Sequence, residues 1–250
     1  MITGIDRFRE WFHGCENQYA IIGGTACELL MSEEGLGFRA TKDIDLVLIV
    51  EAITPEFGKK FWQFIQTAGY EHRNKSTGSP QFYRFSHPTA EGYPFMLELF
   101  SRQPDAIHLP ENAVLTPLPV EEDISSLSAI LLDTAYYQLV RSGTVVVDGI
   151  NVLNAEYLIP FKAKAWLDLT QRKAAGQAID SRNIRKHKND VFRLSALLTQ
   201  QTSVVISEEV RADLRAFFTA MQTETVDTVQ LGVMRDQETI LSDLMKIYGI

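Results

Sequence analysis

The sequence predicts an α+β chain: a mixed β-sheet flanked by helices in its first half, then a mainly helical second half. Three observations predict it. As far as Pro119, short runs rich in Val, Ile and Leu alternate with segments of helical periodicity. From Glu121 onward, longer stretches carry apolar residues at helical spacing. A chain of 250 residues, 45% of them hydrophobic, is also long enough to bury one large core or two modest ones. The expected division is 1–120 and 121–250, with a β-hairpin near 144–153 inside the second part.

Residues 5–14 put Ile5, Phe8 and Phe12 on one side of a helix. Tyr19-Ala-Ile-Ile reads as a strand ending in a Gly23-Gly24 turn, and Thr25 opens a helix through Ala26, Cys27, Leu29 and Leu30. The run from Thr41 to Val50 reads as a buried strand. Pro55 begins the next helix at the position where proline is tolerated, and Phe61, Phe64 and Ile65 carry it to Gly69. Strands are expected over 80–86 and 94–100, divided by the turn-rich stretch His87–Gly92, with Pro104–Pro119 as loop holding at most one short strand. Residues 124–140 suit a helix, and Asp148-Gly149 is the turn of the hairpin. Helices follow over roughly 155–174, 181–199, 207–221 and 235–247.

The strand holding Asp43 and Asp45 carries the chemistry. Side chains alternate along a strand, so both carboxylates project to one side. Two carboxylates at the mouth of an apolar strand repel each other and are costly to desolvate. A divalent cation removes that conflict, and oxygen ligands suit Mg²⁺, which keeps waters and bridges to phosphates. The N–H groups of a glycine turn at a helix start form a phosphate cradle. Cradle and carboxylate pair together imply chemistry on a nucleotide. Glu98 is the one charge in Phe95–Phe100, where a structural role would require burying it unpaired, so it is the candidate third carboxylate.

Charge is uneven. The chain carries a net −8, yet residues 160–195 hold nine Lys and Arg against Asp168, Asp180 and Asp190. A positive stretch in an otherwise acidic chain suggests an anionic ligand; the alternative is a solvated helix face. Arg7, Arg9 and Glu10 interrupt any signal-peptide pattern, and no apolar run is long enough to span a bilayer. Cys15 and Cys27 lack metal-type spacing and read as thiols of a reducing, cytoplasmic compartment.

Gly23, Gly24, Thr25, Asp43 and Asp45 resemble the signature of the DNA polymerase β-type nucleotidyltransferase superfamily, in which Gly-Gly or Gly-Ser opens a helix and Asp-x-Asp follows on the next strand. Within it, Arg39-Ala-Thr41-Lys-Asp43-Ile-Asp45-Leu is similar to the AbiEii-like nucleotidyltransferases, the toxins of abortive-infection and toxin–antitoxin systems. The resemblance implies a nucleotidyltransferase-type sheet in 1–120 and transfer of an NMP from an NTP to an acceptor hydroxyl. Gly23, Gly24 and Thr25 would hold the β/γ-phosphates. Asp43, Asp45 and Glu98 would hold Mg²⁺ or Mn²⁺, with Glu98 also helping to activate the acceptor.

It further implies a catalytic lysine, matched by Lys162 or Lys164, and a later aspartate, matched by Asp190. The two lysines point about 200° apart on a helix, so only one of them faces a given site. A macromolecular acceptor such as tRNA and an antitoxin partner are usual for that group, and Arg185, Lys188 and Arg193 are the candidate acceptor contacts. Two rival readings stand beside this one: a small-molecule, aminoglycoside-type nucleotidyltransferase, and a non-catalytic binding module that keeps the fold.

Overall fold

The computed structural model describes residues 2–72, 83–103, 115–117 and 128–250. The fold is α+β, as the sequence predicts, and divides into two compact units. One comprises Met1–Leu29 and Phe38–Leu153, the other Leu30–Gly37 and Asn154–Ile250.

The first unit runs α1 (Ile5–Phe12), β1 (Tyr19–Ile22), the start of α2 (Gly23–Glu33), β2 (Asp43–Leu48), α3 (Pro55–Ala68), β3 (Arg84–Ser86), β4 (Met96–Ser101), β5 (Leu115–Pro117), β6 (Ser128–Leu131), α4 (Thr134–Ser142), β7 (Thr144–Val147) and β8 (Ile150–Leu153). Its strands form a mixed sheet in the order β5-β6-β4-β2-β1-β8-β7, with β3 added on β4. β1 and β2 are antiparallel, whereas β2–β4, β4–β6 and β1–β8 are parallel.

The apolar side of α1 explains its place. Phe8 meets Tyr19 edge-on at 5.4 Å, and Phe12 stands 5.6, 6.0 and 5.3 Å from Phe57, Phe61 and Phe64 of α3. Burying such rings on the sheet is worth about 2 kcal/mol each and fixes both helices. α3 begins where expected: Thr54 Oγ1 caps Phe57 N at 3.2 Å with Pro55 in the first turn, and left-handed Gly69 ends it.

Three expectations need correction. The 144–153 hairpin forms as predicted around Asp148 and Gly149, both at positive φ, but it belongs to the sheet and not to the helical part. β8 lies parallel to β1 with Ile21 opposite Val152, and Asn151 Nδ2 donates to Tyr19 O at 2.8 Å. The chain therefore changes unit after Leu153, not after 120. Residues 128–131 are strand β6, not helix, and α4 starts only at Thr134 behind its cap Asp133. A short apolar run suits either state, and the parallel neighbour β4 decides it. α2 begins at Gly23, two residues before the expected Thr25. The expected strand before residue 83, most of the loop 104–119 and the helix start at 124–127 lie outside the described residues.

The second unit is helical: α5 (Ala155–Ala174), α6 (Ser181–Leu194), α7 (Glu208–Met221) and α8 (Gln237–Tyr248). Trp166 of α5 packs edge-on against Phe217 of α7 at 5.5 Å. Pro160 sits inside α5 and cannot donate to the carbonyl four residues back. That carbonyl, Glu156 O, instead accepts from the buried Tyr248 hydroxyl, which ties α8 to α5. Among the described residues no helix is long and apolar enough to cross a membrane.

Candidate active site

The site grows from the junction of β1 and α2. Ile22, the last residue of β1, lies opposite Asp45 of β2. Gly23 follows at φ 71°, a left-handed backbone that glycine adopts without penalty, and turns the chain straight into α2. A Cβ at Gly23 would run into Asp45 Oδ2. The carboxylate of Asp45 therefore rests directly on the backbone that opens the helix. There the first N–H groups lack partners four residues back, and the helix end carries partial positive charge that favours an anion.

Asp43 and Asp45 are both half-buried and flank the fully buried Ile44, so they share a face as the alternation requires. β4 extends that face. In the β2–β4 register Asp45 stands opposite Glu98 and Asp43 opposite Met96, and in β3–β4 Arg84 stands opposite Glu98 and Ser86 opposite Met96. Asp45, Glu98 and Arg84 thus form one row across three strands.

Glu98 departs from expectation in one respect. It is not an unpaired charge, because Arg84 Nε and Nη2 both contact its Oε1. Sequence reasoning missed Arg84, since only the strand register shows which residue stands across from Glu98.

Thr25 also differs from its expected role. It is fully buried, and its hydroxyl donates to Asp43 O at 2.6 Å, with Thr41 Oγ1 3.0 Å away. Its side chain fastens the helix start to β2. Thr41 is held in turn by Glu28, whose Oε2 accepts from Thr41 N at 3.1 Å and lies 3.2 Å from Thr41 Oγ1. Glu28 is a buried carboxylate in α2 that the sequence reading overlooked. Its signal was the one used for Glu98, a single charge in an apolar segment.

The hard-oxygen donors Asp43 and Asp45 fit Mg²⁺, which is commonly held by one or two carboxylates plus substrate phosphates and water. Among the described residues there is no ready-made group of three or more His, Cys, Asp or Glu that could hold a metal. The pair would thus act as a partial shell that a phosphate completes.

The remaining sequence candidates lie in the second unit. Lys162 Nζ and Asp190 Oδ2, nearly or wholly buried on α5 and α6, pair at 3.0 Å, and Arg193 Nη1 is 3.7 Å from Asp190 Oδ1. The structure thus brings together the lysine and the aspartate that the resemblance singled out separately. Lys164 turns the other way and pairs with Asp213 at 3.2 Å and Asp168 at 3.6 Å. Partial burial opposes its charge, but these carboxylates outweigh that and raise its pKa. Lys188 is buried, 2.6 Å from Glu224 Oε2, whereas Arg185 is exposed.

No family model matches the chain, and no curated protein matches it in sequence. Among solved structures it is similar to an antigenic nucleotidyltransferase-like protein from Paracoccidioides brasiliensis, with a TM-score of 0.51, 15% identity, and 98% of this chain and 91% of that chain covered. The antibiotic-resistance factor ANT(2'')-Ia also matches, with a TM-score of 0.38, 14% identity, and 88% and 93% covered. The first likeness shows the fold: this chain has a nucleotidyltransferase-like α+β architecture.

Proposed function

We propose that the chain is a metal-dependent nucleotidyltransferase of the AbiEii-like kind, moving an NMP from an NTP to an acceptor hydroxyl on RNA, with tRNA as the first candidate. One observation carries the reading. Asp45 rests against the glycine that opens α2, with Asp43 on the same face and Glu98 in register beside it. Phosphate-facing N–H groups, a carboxylate pair and an additional carboxylate are what an in-line displacement at phosphorus uses.

The N–H groups at Gly23 and Gly24 orient the NTP phosphates, and Asp43 and Asp45 hold the divalent cation. When bound, Mg²⁺ or Mn²⁺ supplies charge neutralisation at the reacting phosphate. Arg84 contacts Glu98 Oε1, and in this reading Oε2 would receive the proton of the acceptor hydroxyl. The new bond joins the acceptor oxygen to the α-phosphorus as the bond to pyrophosphate breaks. Roles for Lys162, Lys164 and Asp190 in catalysis, for Arg185, Lys188 and Arg193 in acceptor binding, and for an antitoxin partner rest on the sequence resemblance.

The test is incubation with each α-labelled NTP, Mg²⁺ or Mn²⁺, and total tRNA. Label should enter RNA with pyrophosphate release. Asp45→Asn should lower transfer by more than about 100-fold, since electrostatic groups at a reacting centre are worth that much, while the fold is kept. Absence of transfer from every NTP with either metal would overturn the reading. In a parallel incubation with an aminoglycoside in place of tRNA, label moving to the aminoglycoside while none enters RNA would replace the acceptor class.

A further inference from the structure

β7 is an outermost strand of the sheet, and the hairpin register shows what its outer side offers. The two-residue turn Asp148-Gly149 makes Val147 and Ile150 the closing pair, which exchanges both hydrogen bonds. The alternation then gives Val145 to Val152 of β8 and turns the N–H and C=O of Thr144 and Val146 away from the sheet. Among the described residues no other group takes up these bonds.

The side chains leave the same edge open. Thr144, Val145 and Val146 are exposed, Val146 by 58%, whereas Val147 is buried. Free sheet edges are usually shielded by a lysine, a proline or a bulge. β7 reads Thr-Val-Val-Val in unbroken register with β8 and carries none of the three.

We propose that β7 is the docking edge for a second copy of this chain, the two strands pairing antiparallel about a two-fold axis at Val145. In that register Thr144 of each copy exchanges hydrogen bonds with Val146 of the other. The two Val145 side chains then meet at the close, non-hydrogen-bonded position.

Charge selects this occupant. Arg141 precedes β7 and Asp148 follows it, with 40% and 66% of their side chains exposed. Each has one partner in its own chain, Glu51 and Arg9, both at 2.5 Å. Antiparallel pairing sets Ser142 across from Asp148 of the other copy, so Arg141 comes beside an opposite charge at both ends of the ribbon. Such a surface is self-complementary, as a two-fold interface requires. So short a strand makes a small interface, and the dimer should be weak, with a Kd of about 1–100 μM.

Sedimentation velocity of the full chain from about 1 to about 300 μM spans that range. Mean mass should rise from monomer towards dimer. Val146→Lys puts a charge on the exposed edge and should weaken the dimer by more than about tenfold, with its denaturant midpoint unchanged. Val229→Lys replaces a valine 74% exposed in the second unit and should leave the dimer as it is. Arg141→Gln and Asp148→Asn should each weaken it by about threefold, asparagine keeping the positive φ at the turn. Combined, they should be no weaker than the stronger single, because both remove one contact. If Val146→Lys loses its fold, this pair of variants decides the matter. A chain that stays monomeric at about 300 μM, or a dimer that neither Val146→Lys nor the charge variants weaken, overturns the proposal.

Discussion

Gly23 meets two demands at one residue. Its backbone is left-handed at φ 71°, and the space beside its Cα belongs to Asp45 Oδ2. Gly23→Ala should therefore cost about 1–3 kcal/mol for the strained backbone, visible as a lower urea midpoint, and should displace Asp45 and reduce transfer more than tenfold. Gly24→Ala meets only a Thr41 methyl at 2.8 Å and the Arg39 tip at 3.3 Å, so it should fold better than Gly23→Ala. At this scale the glycines and the aspartate pair were legible, because both follow from local backbone geometry. Thr25 was legible as a polar residue at a helix start, but the partner of its hydroxyl, Asp43 O eighteen residues away, was not.

The pairing of α5 with α6 turns on Lys162 and Asp190. Both are almost completely buried, so their pairing offsets part of the desolvation of each. Asp190→Ala should destabilise the protein by about 3–5 kcal/mol by leaving a buried ammonium. Replacing both partners, as Lys162→Met with Asp190→Leu, should cost clearly less. Denaturant unfolding of the two singles and the double gives the coupling, and additive effects would show that the pair is not coupled. The boundaries of α5, α7 and α8 fall within two residues of the sequence expectation, since capping residues Asn154, Ser207 and Asp236 announce them. β6 and the attachment of β8 were not legible, since a strand's neighbour is a non-local choice.

Over the molecule, charge is spent largely within the protein. Of the nine Lys and Arg in 160–195, at least five stand in ion pairs: Lys162, Lys164, Arg182, Lys188 and Arg193. The basic stretch is a weaker anion attractor than its composition suggests. Nine cations on single-stranded RNA would give a log–log salt slope of about −6, and four would give about −3. RNA affinity measured between 50 and 200 mM salt should show a slope no steeper than about −3. A steeper one would mean that the internal pairs open on binding.

The sequence by itself determined the α+β class, the helix frame and the shared side of Asp43 and Asp45, because period and turn chemistry act over a few residues. Only the tertiary structure decided that Arg84 answers Glu98, that Thr41 and Arg39 lie beside Gly24, that Thr25 faces inward and that Lys162 meets Asp190. Each of these pairs residues far apart in the chain. Their energies come from desolvation and close approach, and those quantities exist only once strands have chosen neighbours and helices have packed.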